Sequence, residues 1–543
     1  MNTTEICPSL VQSTWTYMNR RMDEALVDFL REVRQTLPDE KIYLVGGAVR
    51  DMVLGRAVKD LDFVVAHRSV ELAKAVKRRF KGVWYTLDDE HQTARVILRG
   101  AGLPAVPHNH PPDEMILDFT SFIGTTLEED LHQRDFTINA MAIDLDDLTG
   151  IIDPLDGQGD LVNKRLRLSN PNSLESDPLR VIRAVRVIRG FELTYSSEII
   201  TQLRVATLNL GRISGERVRD ELLKCFYLPG LADTYRLLKE FGILFHLLNR
   251  IYQVDVPAEF LNAAKQGDFS DLYKFYKDIY LPDWSSRSED ECLNVALLDI
   301  LEDMLSEIDT EKEISQYFDF ECRSDLTASH LADIKQILRE SLQGGRTRKQ
   351  LLILFAMIFS HHPFYSLKTE ENEIFDHAEI DLECPEFAER LTNVLMLGQK
   401  EMKFFELVCT GYRNLLSLKW EEEVGPLELY RYFREVGSFG VESAILLIAT
   451  LHALQVPGNE FRRLANEVIA TWFRDQHTIV NPTRLVDGDD LIGAFSLKPG
   501  PDLGYYLEAI REAQVTGFVK TREQALDLVS SLYEGRNDVI SIE

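Results

Sequence analysis

KIYLVGGAVRDMVLGRAVKDLDFVV, residues 41–65, is the most informative stretch of the chain. The apolar run Ile42 to Val45 breaks at Gly46-Gly47, and a short helical pattern follows from Ala48 to Leu54. Gly55 ends that helix, and a second apolar strand carries Asp60 and Asp62. Strand, glycine turn, helix and strand in this order leave backbone N–H groups at a helix N-terminus, where they can hold a phosphate. Side chains two apart on a strand share a face, so Asp60 and Asp62 point together while Leu61 faces the other way. Two carboxylates so placed repel one another unless a cation lies between them. Mg²⁺ bridged to nucleotide phosphates is the usual cation for such a pair. The stretch reads as metal-dependent chemistry on a nucleoside triphosphate.

Tyr17 to Leu37 has helical apolar spacing at Met22, Leu26, Phe29, Leu30 and Val33, with Pro38 just past its end. A basic helix follows the core stretch from Val70 to Phe80, then strands around GVWYTL and ARVILRG and a proline-rich loop, AGLPAVPHNHPPDE. MILDFTSF reads as a strand bearing Asp118, a third carboxylate that a neighbouring strand could bring to the metal site. SDPLRVIRAVRVIRGF reads as a helix opened by Ser176 or Asp177, with Pro178 in its first turn. Asp177, Arg180, Arg183 and Arg186 recur every three residues and form a ridge down one side. An aspartate and an arginine one turn apart can hydrogen-bond the Watson–Crick edge of a base without a template strand. The same spacing also serves an intrahelical salt bridge beside a solvated arginine row.

The chain is long enough for several domains, and its apolar and charged content is that of a soluble globular protein. No apolar run approaches a membrane span, ESAILLIATLHAL being typical of the longest, and no signal pattern opens the chain. The six cysteines are scattered without a C-x-x-C pair, which fits reduced thiols in a cytoplasmic protein and neither a zinc site nor a disulfide framework. The formal net charge of −28 runs against a polyanionic partner. Residues 161–224, however, hold 12 Lys or Arg against 7 Asp or Glu. This reads as a basic patch confined to one site, within an acidic remainder that rejects bulk nucleic acid. A merely solvated helix surface is the other reading of that charge.

The stretch 41–65 resembles the head of the class II tRNA nucleotidyltransferase (CCA-adding enzyme) and bacterial poly(A) polymerase family. The matching residues are Gly46, Gly47, Val49, Arg50, Asp51, Leu54, Gly55, Asp60 and Asp62. The resemblance implies an α+β fold: a polymerase-β-like nucleotidyltransferase head with a mixed sheet, then an all-α neck, body and tail. The implied boundaries are a leader and helix over 1–40, the head over 41–160, the neck over 161–230, the body over 231–480 and a tail over 481–543. Asp60, Asp62 and Asp118 are the implied catalytic carboxylates, with Asp60 and Asp62 holding two Mg²⁺ ions. Gly46, Gly47 and Arg50 are expected to orient the triphosphate. LEEDLHQRDFTINAMAID resembles the family motif RRDFTINAMA. There Arg134, Asp135 and Asn139 match residues at the sugar and phosphates, whereas Gln133 replaces the first arginine. DPLDGQGDLVNKRLRL matches the hinge segment through Asp153, Gly157, Asp160 and Leu161. Asp177 and Arg180 match the base-pairing positions of an EDxxR element whose glutamate is Ser176 here, and Arg183 and Arg186 continue the nucleotide-binding row.

Beyond about residue 230 the pattern is almost wholly helical. TRKQLLILFAMIFSHHPF lies where many relatives carry an HD-type phosphohydrolase domain, but Ser360-His361-His362 lacks the His-Asp pair, so a degenerate HD-like region is expected. The tail, with Lys520, Thr521 and Arg522 after its Pro499-Gly500-Pro501 turn, is expected to be a helical platform for the RNA body. The implied reaction is transfer of a nucleotidyl group from CTP or ATP to a tRNA 3′ end. CCA addition stands first as the commoner activity. Addition of CC alone stands close behind, because only Ile123-Gly124 separate DFTSF from TTLEEDL, where CCA-adding relatives carry a flexible loop. Poly(A) synthesis, a non-catalytic RNA-binding protein and a phosphohydrolase are the remaining readings.

Overall fold

The computed structural model describes residues 24–56, 58, 60–88, 92–100, 114–280, 293–311, 317–318, 328–359, 384–417, 424–453 and 460–540. The chain divides into two compact units, Met1–Arg212 and Ile213–Glu543.

The first unit is built on a seven-stranded sheet. Its strands are β1 (Ile42–Val45), β2 (Asp60–Val65), β3 (Val83–Asp88), β4 (Thr93–Arg99), β5 (Glu114–Ser121), β6 (Ala142–Asp144) and β7 (Asp147–Ile152). They lie in the order β3-β4-β5-β2-β1-β6-β7, and every pairing is antiparallel except β2 with β5. The sheet is mixed because β2 and β5 are separated by a helix and a hairpin, a connection long enough to return the chain in the same direction. Leu61 and Phe63 of β2 and Leu117 and Phe119 of β5 are buried, with the rings of Phe63 and Phe119 stacked 5.1 Å apart. Each such side chain removed from water contributes roughly 1.5–3 kcal/mol.

Helix Ser69–Phe80 packs on β4 and β5, burying Leu72, Ala73 and Val76. Helix Glu24–Gln35 buries the four apolar positions of its stripe, Leu26, Phe29, Leu30 and Val33, and Phe29 meets Phe80 at 4.8 Å. The strand–turn–helix–strand reading of 41–65 holds, with the helix over Gly47–Val53. The helix expected from Ser176 or Asp177 opens later, at Arg180, and runs to Phe191. Asp177 stands outside it in extended conformation, its Oδ1 accepting the N–H of Leu179 at 3.2 Å. That extended conformation follows from Pro178, whose ring disfavours helical dihedrals at the residue before it, and Pro178 and Leu179 form a turn between Asp177 and the helix.

Among its described residues the second unit is helical. Helix Gly440–Ala453 is buried from Gly440 to Leu451 and packs against helices Leu293–Thr310, Gln399–Ser417 and Glu460–Arg474. It belongs to a stretch, Pro426–Ala453, with a window long and apolar enough to cross a membrane, longer than any run expected from the sequence. That window is 72% buried inside the protein. Gly437, at φ +57°, breaks the stretch into two helices. An apolar circumference on such a helix is what a core position requires. A smaller core of Val486, Leu491, Tyr506, Ile510 and Val529 gathers the C-terminal helices. His361 and His362 lie outside the described residues.

Candidate active site

Gly46 connects β1 to helix Gly47–Val53 at φ +76° and ψ −138°, dihedrals open to glycine and costly for any other residue. Space is tight there as well. A Cβ would lie 3.1 Å from Arg134 Nη1 and 3.4 Å from Asp62 Oδ2, so the turn brings a guanidinium and a carboxylate against bare backbone.

Asp60 and Asp62 occupy alternate positions of β2, and Asp62 stands opposite Asp118 of β5 in parallel register. Desolvation pushes the Asp62 carboxyl up to about 6; Arg134 and Arg183 pull it down, whereas Asp118 and Asp60 push it up. Three acids thus share one field. Asp118 is itself committed, since Arg95 on β4 donates to both of its oxygens at 2.7 and 2.8 Å. No group of three Asp, Glu, His or Cys side chains among the described residues is close enough to hold a metal ion. The donor set, oxygen-only and mutually repulsive around Asp62, nevertheless fits a hard divalent cation.

Arg50 is buried in the helix after the glycine turn. Its Nε and Nη2 donate to Asp51 at 2.9 and 3.0 Å, and its Nη1 donates to Asn139 Oδ1 at 2.5 Å. The Asn139 amide passes the connection on, donating to Asp135 Oδ1 at 3.0 Å. Asp135 Oδ1 also accepts the N–H of Phe136, and Oδ2 lies 3.0 Å from Arg183 Nη2. Burial alone would raise the Asp135 carboxyl, but Arg183, the Asn139 amide and the Phe136 N–H outweigh it and hold the group below its ordinary range. Asp51, Arg50, Asn139, Asp135 and Arg183 therefore form one continuous polar relay from the glycine turn to helix Arg180–Phe191.

Arg180, at the start of that helix, donates from Nη2 to the carbonyl of Gln133 at 2.8 Å. Its Nη1 donates to the carbonyls of Arg134 and Ser173 at 3.1 and 2.9 Å and to Ser173 Oγ at 2.7 Å. Its Nε is buried without an acceptor among the described residues, and desolvation draws its pKa down. Arg186 lies one turn beyond Arg183, partly exposed. Gln133, in place of the motif's first arginine, is exposed and contributes only its carbonyl to this arrangement.

The residues 42–167 match the "Poly A polymerase head domain", and 195–253 match the "Probable RNA and SrmB- binding site of polymerase A". Residues 399–529 match a second domain of tRNA nucleotidyltransferases. Relatives include the CC-adding tRNA nucleotidyltransferase of Geobacter sulfurreducens, 27% identical over 89% of this chain and 90% of that protein. The enzyme of the same description from Synechocystis sp. is 24% identical over 93% and 98%. The chain belongs to the tRNA nucleotidyltransferase and poly(A) polymerase family. Its fold is also that of a CCA-adding enzyme solved with CTP, at TM-score 0.58 and 20% identity over 95% of this chain and 97% of that one.

In this nucleotidyltransferase several supporting residues escape a motif reading. Asp130 fixes Arg134 through Nη2 and Nε at 2.9 and 3.2 Å, a one-turn spacing that LEEDLHQR does display. Arg95 and Ser173 carry no sequence signal of their roles. The hinge is held by Asp160, fully buried, which accepts from Thr137 Oγ1 at 2.6 Å and pairs with Arg165 and Arg167. Gly157 fits there because a Cβ would fall 2.3 Å from the Thr137 carbonyl oxygen.

Proposed function

We propose that this chain transfers nucleotidyl groups from CTP to the 3′ end of tRNA without a template, and that its product ends at CC. The observation that carries the transfer reading is the approach of Asp62 and Arg134 to the glycine turn, with Asp118 opposite Asp62, and the link through Arg50, Asn139 and Asp135 to the arginine helix. Two Mg²⁺ ions held by Asp60 and Asp62, with Asp118 beside them, would supply Lewis acidity for the attacking hydroxyl and the leaving pyrophosphate.

The bare backbone at Gly46 lets the triphosphate approach closely, and Arg134, aimed by Asp130, neutralises its phosphates. The 3′-hydroxyl oxygen gives up its proton to solvent and bonds to the α-phosphorus as the bond from that phosphorus to the α–β bridging oxygen breaks, and pyrophosphate leaves. Asp177 and Arg180 are the base-selecting positions, with the Arg180 guanidinium held at the head of its helix by the Gln133, Arg134 and Ser173 carbonyls. Arg183 and Arg186 extend positive charge toward the RNA. Asp135 and Asn139 hold the frame rather than the nucleotide, because their polar atoms are spent on one another, on Phe136, on Arg50 and on Arg183.

The stop at CC is supported by the segment after β5. Ile123 N–H donates to Asp130 at 3.0 Å, Thr125 donates to Glu129 from both its N–H and hydroxyl, and Thr126 with Glu129 forms a capping box. Such a turn is short and pinned, where a flexible loop accompanies full CCA addition in the family. The two near-full-length relatives described as CC-adding support the same order.

Transcripts ending at the discriminator base, at C or at CC, incubated with Mg²⁺ and CTP, ATP or both, test the proposal. Growth by CTP to CC, with no ATP addition to the CC primer, is the expected result. Addition of A to that primer restores the CCA reading, long A tails indicate a poly(A) polymerase, and no growth indicates a binding protein.

A further inference from the structure

The last residue of helix Arg180–Phe191 is held from the side of the glycine turn. The guanidinium of Arg50 lies over the Phe191 ring, Cζ 4.2 Å from its centroid, and that of Arg56 lies over it at 4.5 Å. Arg56 also donates from Nη1 to the carbonyl of Gly190 at 2.9 Å, while its own N–H donates to the Asp51 carbonyl at 2.8 Å. Both arginines belong to the glycine-turn segment: Arg50 lies within its helix, and Arg56 follows directly after it.

Helix Arg180–Phe191 is therefore tied at three heights. Its first residue, Arg180, grips the carbonyls of Gln133 and Arg134. Arg183, one turn on, meets Asp135. Its end is held through Gly190 and Phe191. Arg50 takes part in two of these ties, contacting Phe191 directly and Asp135 by way of Asn139. A guanidinium over an aromatic face is a directional electrostatic contact that an aliphatic side chain does not reproduce. Anchoring both ends fixes the angle of the helix to the turn that receives the triphosphate.

We infer that Phe191, with Arg56, is a specificity-positioning clamp that holds the base-selecting helix in register with the seated triphosphate. The inference rests on the proposal that Asp177 and Arg180 select the base. A base edge is discriminated by donors and acceptors placed to within a few tenths of an ångström. A helix released at its far end swings at its near end. Loss of the clamp thus degrades choice between bases more than it degrades phosphoryl chemistry.

The test compares Phe191→Leu, Phe191→Tyr and Arg180→Ala in the full chain, measuring kcat and KM for CTP and UTP separately on a primer that accepts C. Melting temperatures verify that each variant is folded. Phe191→Leu, which keeps apolar bulk but loses the ring, is expected to lower the preference for CTP over UTP about tenfold, mainly through KM for CTP. Phe191→Tyr is expected to keep the preference within about twofold. A Phe191→Leu enzyme that slows equally with both nucleotides, or a Phe191→Tyr enzyme as unselective as Phe191→Leu, overturns the clamp. Arg180→Ala separates the two levels. If it loses the preference while Phe191→Leu retains it, the clamp alone is wrong; if Arg180→Ala retains the preference, base selection lies elsewhere and the clamp falls with it.

Discussion

Asp62 and Asp118 stand across from one another on the parallel strands β2 and β5, and on the far side of Asp118 the guanidinium of Arg95 takes both of its oxygens. The site thus holds its third carboxylate in reserve, paired with a cation of the protein's own. A divalent ion arriving between Asp60 and Asp62 competes with Arg95 for Asp118. Arg95→Ala should therefore lower the Mg²⁺ concentration for half-maximal transfer, because one positive charge leaves the field. It should also lower kcat, because Asp118 loses the contact that aims it. A Mg²⁺ titration of both enzymes checks this; an unchanged or raised requirement would show that Arg95 does not compete with the cation.

The Asp62 carboxyl, pushed up to about 6 by desolvation and by Asp118 and Asp60, predicts a pH dependence. A carboxyl whose pKa is higher folded than unfolded keeps its proton more tightly in the native state. It therefore costs the metal-free protein stability above that pKa, and the cost is relieved as the pH falls from about 6 toward 4. Asp62→Asn removes the charge and should stabilise the metal-free protein at pH 8 by about 3 kcal/mol. It should abolish transfer at the same time. Thermal melts with chelator at pH 8 and pH 5 read the first effect, which must shrink at the lower pH. For the wild type, Mg²⁺ affinity should weaken as the pH drops below about 6, since the ion must displace that proton.

Asn139, 89 residues from Arg50 in sequence, joins it to Asp135, and both partners are buried. Asn139→Ala leaves a guanidinium donor and a carboxylate oxygen short of partners. Each costs roughly 1–3 kcal/mol when water cannot reach it. The expected outcome is a loss of at least 1 kcal/mol in denaturant unfolding, with a raised KM for CTP from slackening between the glycine turn and the arginine helix. Asn139→Asp should be worse in stability than Asn139→Ala, because a second buried carboxylate would face Asp135. The reverse order would show that Arg50 can neutralise both acids.

What the sequence made legible were features with short-range causes. Gly46-Gly47, the period-two carboxylates of β2 and the apolar stripe of helix Glu24–Gln35 each report on residues one or two turns away, and each appears in the fold where the pattern put it. At the head of helix Arg180–Phe191, Asp177 is extended before Pro178 and takes the N–H of Leu179 on its side chain, as an opening residue does, and Pro178 and Leu179 form a turn before the regular helix. Of the contacts set by sheet register, only Asp118 beside Asp62 was legible, through its motif position. Arg95 meets Asp118 only because β4 and β5 pair antiparallel with those two residues opposite, and nothing in ARVILRG or MILDFTSF states that alignment. Phe191 was hidden for another reason: an aromatic ending an amphipathic helix is ordinary core until the arginines above it are seen.

The second unit offers the sharpest separation of stability from chemistry. Glu442 is fully buried on the apolar helix Gly440–Ala453, and both its oxygens are met by Arg348, from Nε at 2.5 Å and Nη2 at 2.6 Å. Arg348 is buried as well; it donates to the Ser438 carbonyl at 3.1 Å and lies over the Phe439 ring at 4.7 Å. Two charges out of water recover their desolvation cost only while both are present. Glu442→Ala leaves the buried guanidinium only the half-exposed Glu340 carboxylate, 3.2 Å from Nη1, and should destabilise the unit by about 3–5 kcal/mol. Replacing both partners by apolar residues of similar volume, Arg348→Met with Glu442→Leu, removes that charge and should recover most of that loss. Denaturant unfolding of Glu442→Ala, of Arg348→Met and Glu442→Leu singly, and of their double variant measures the coupling. If the double variant is no more stable than Glu442→Ala, then the hydrogen bonds to Ser438 and the stacking on Phe439 hold this core together, and the ion pair is incidental to it.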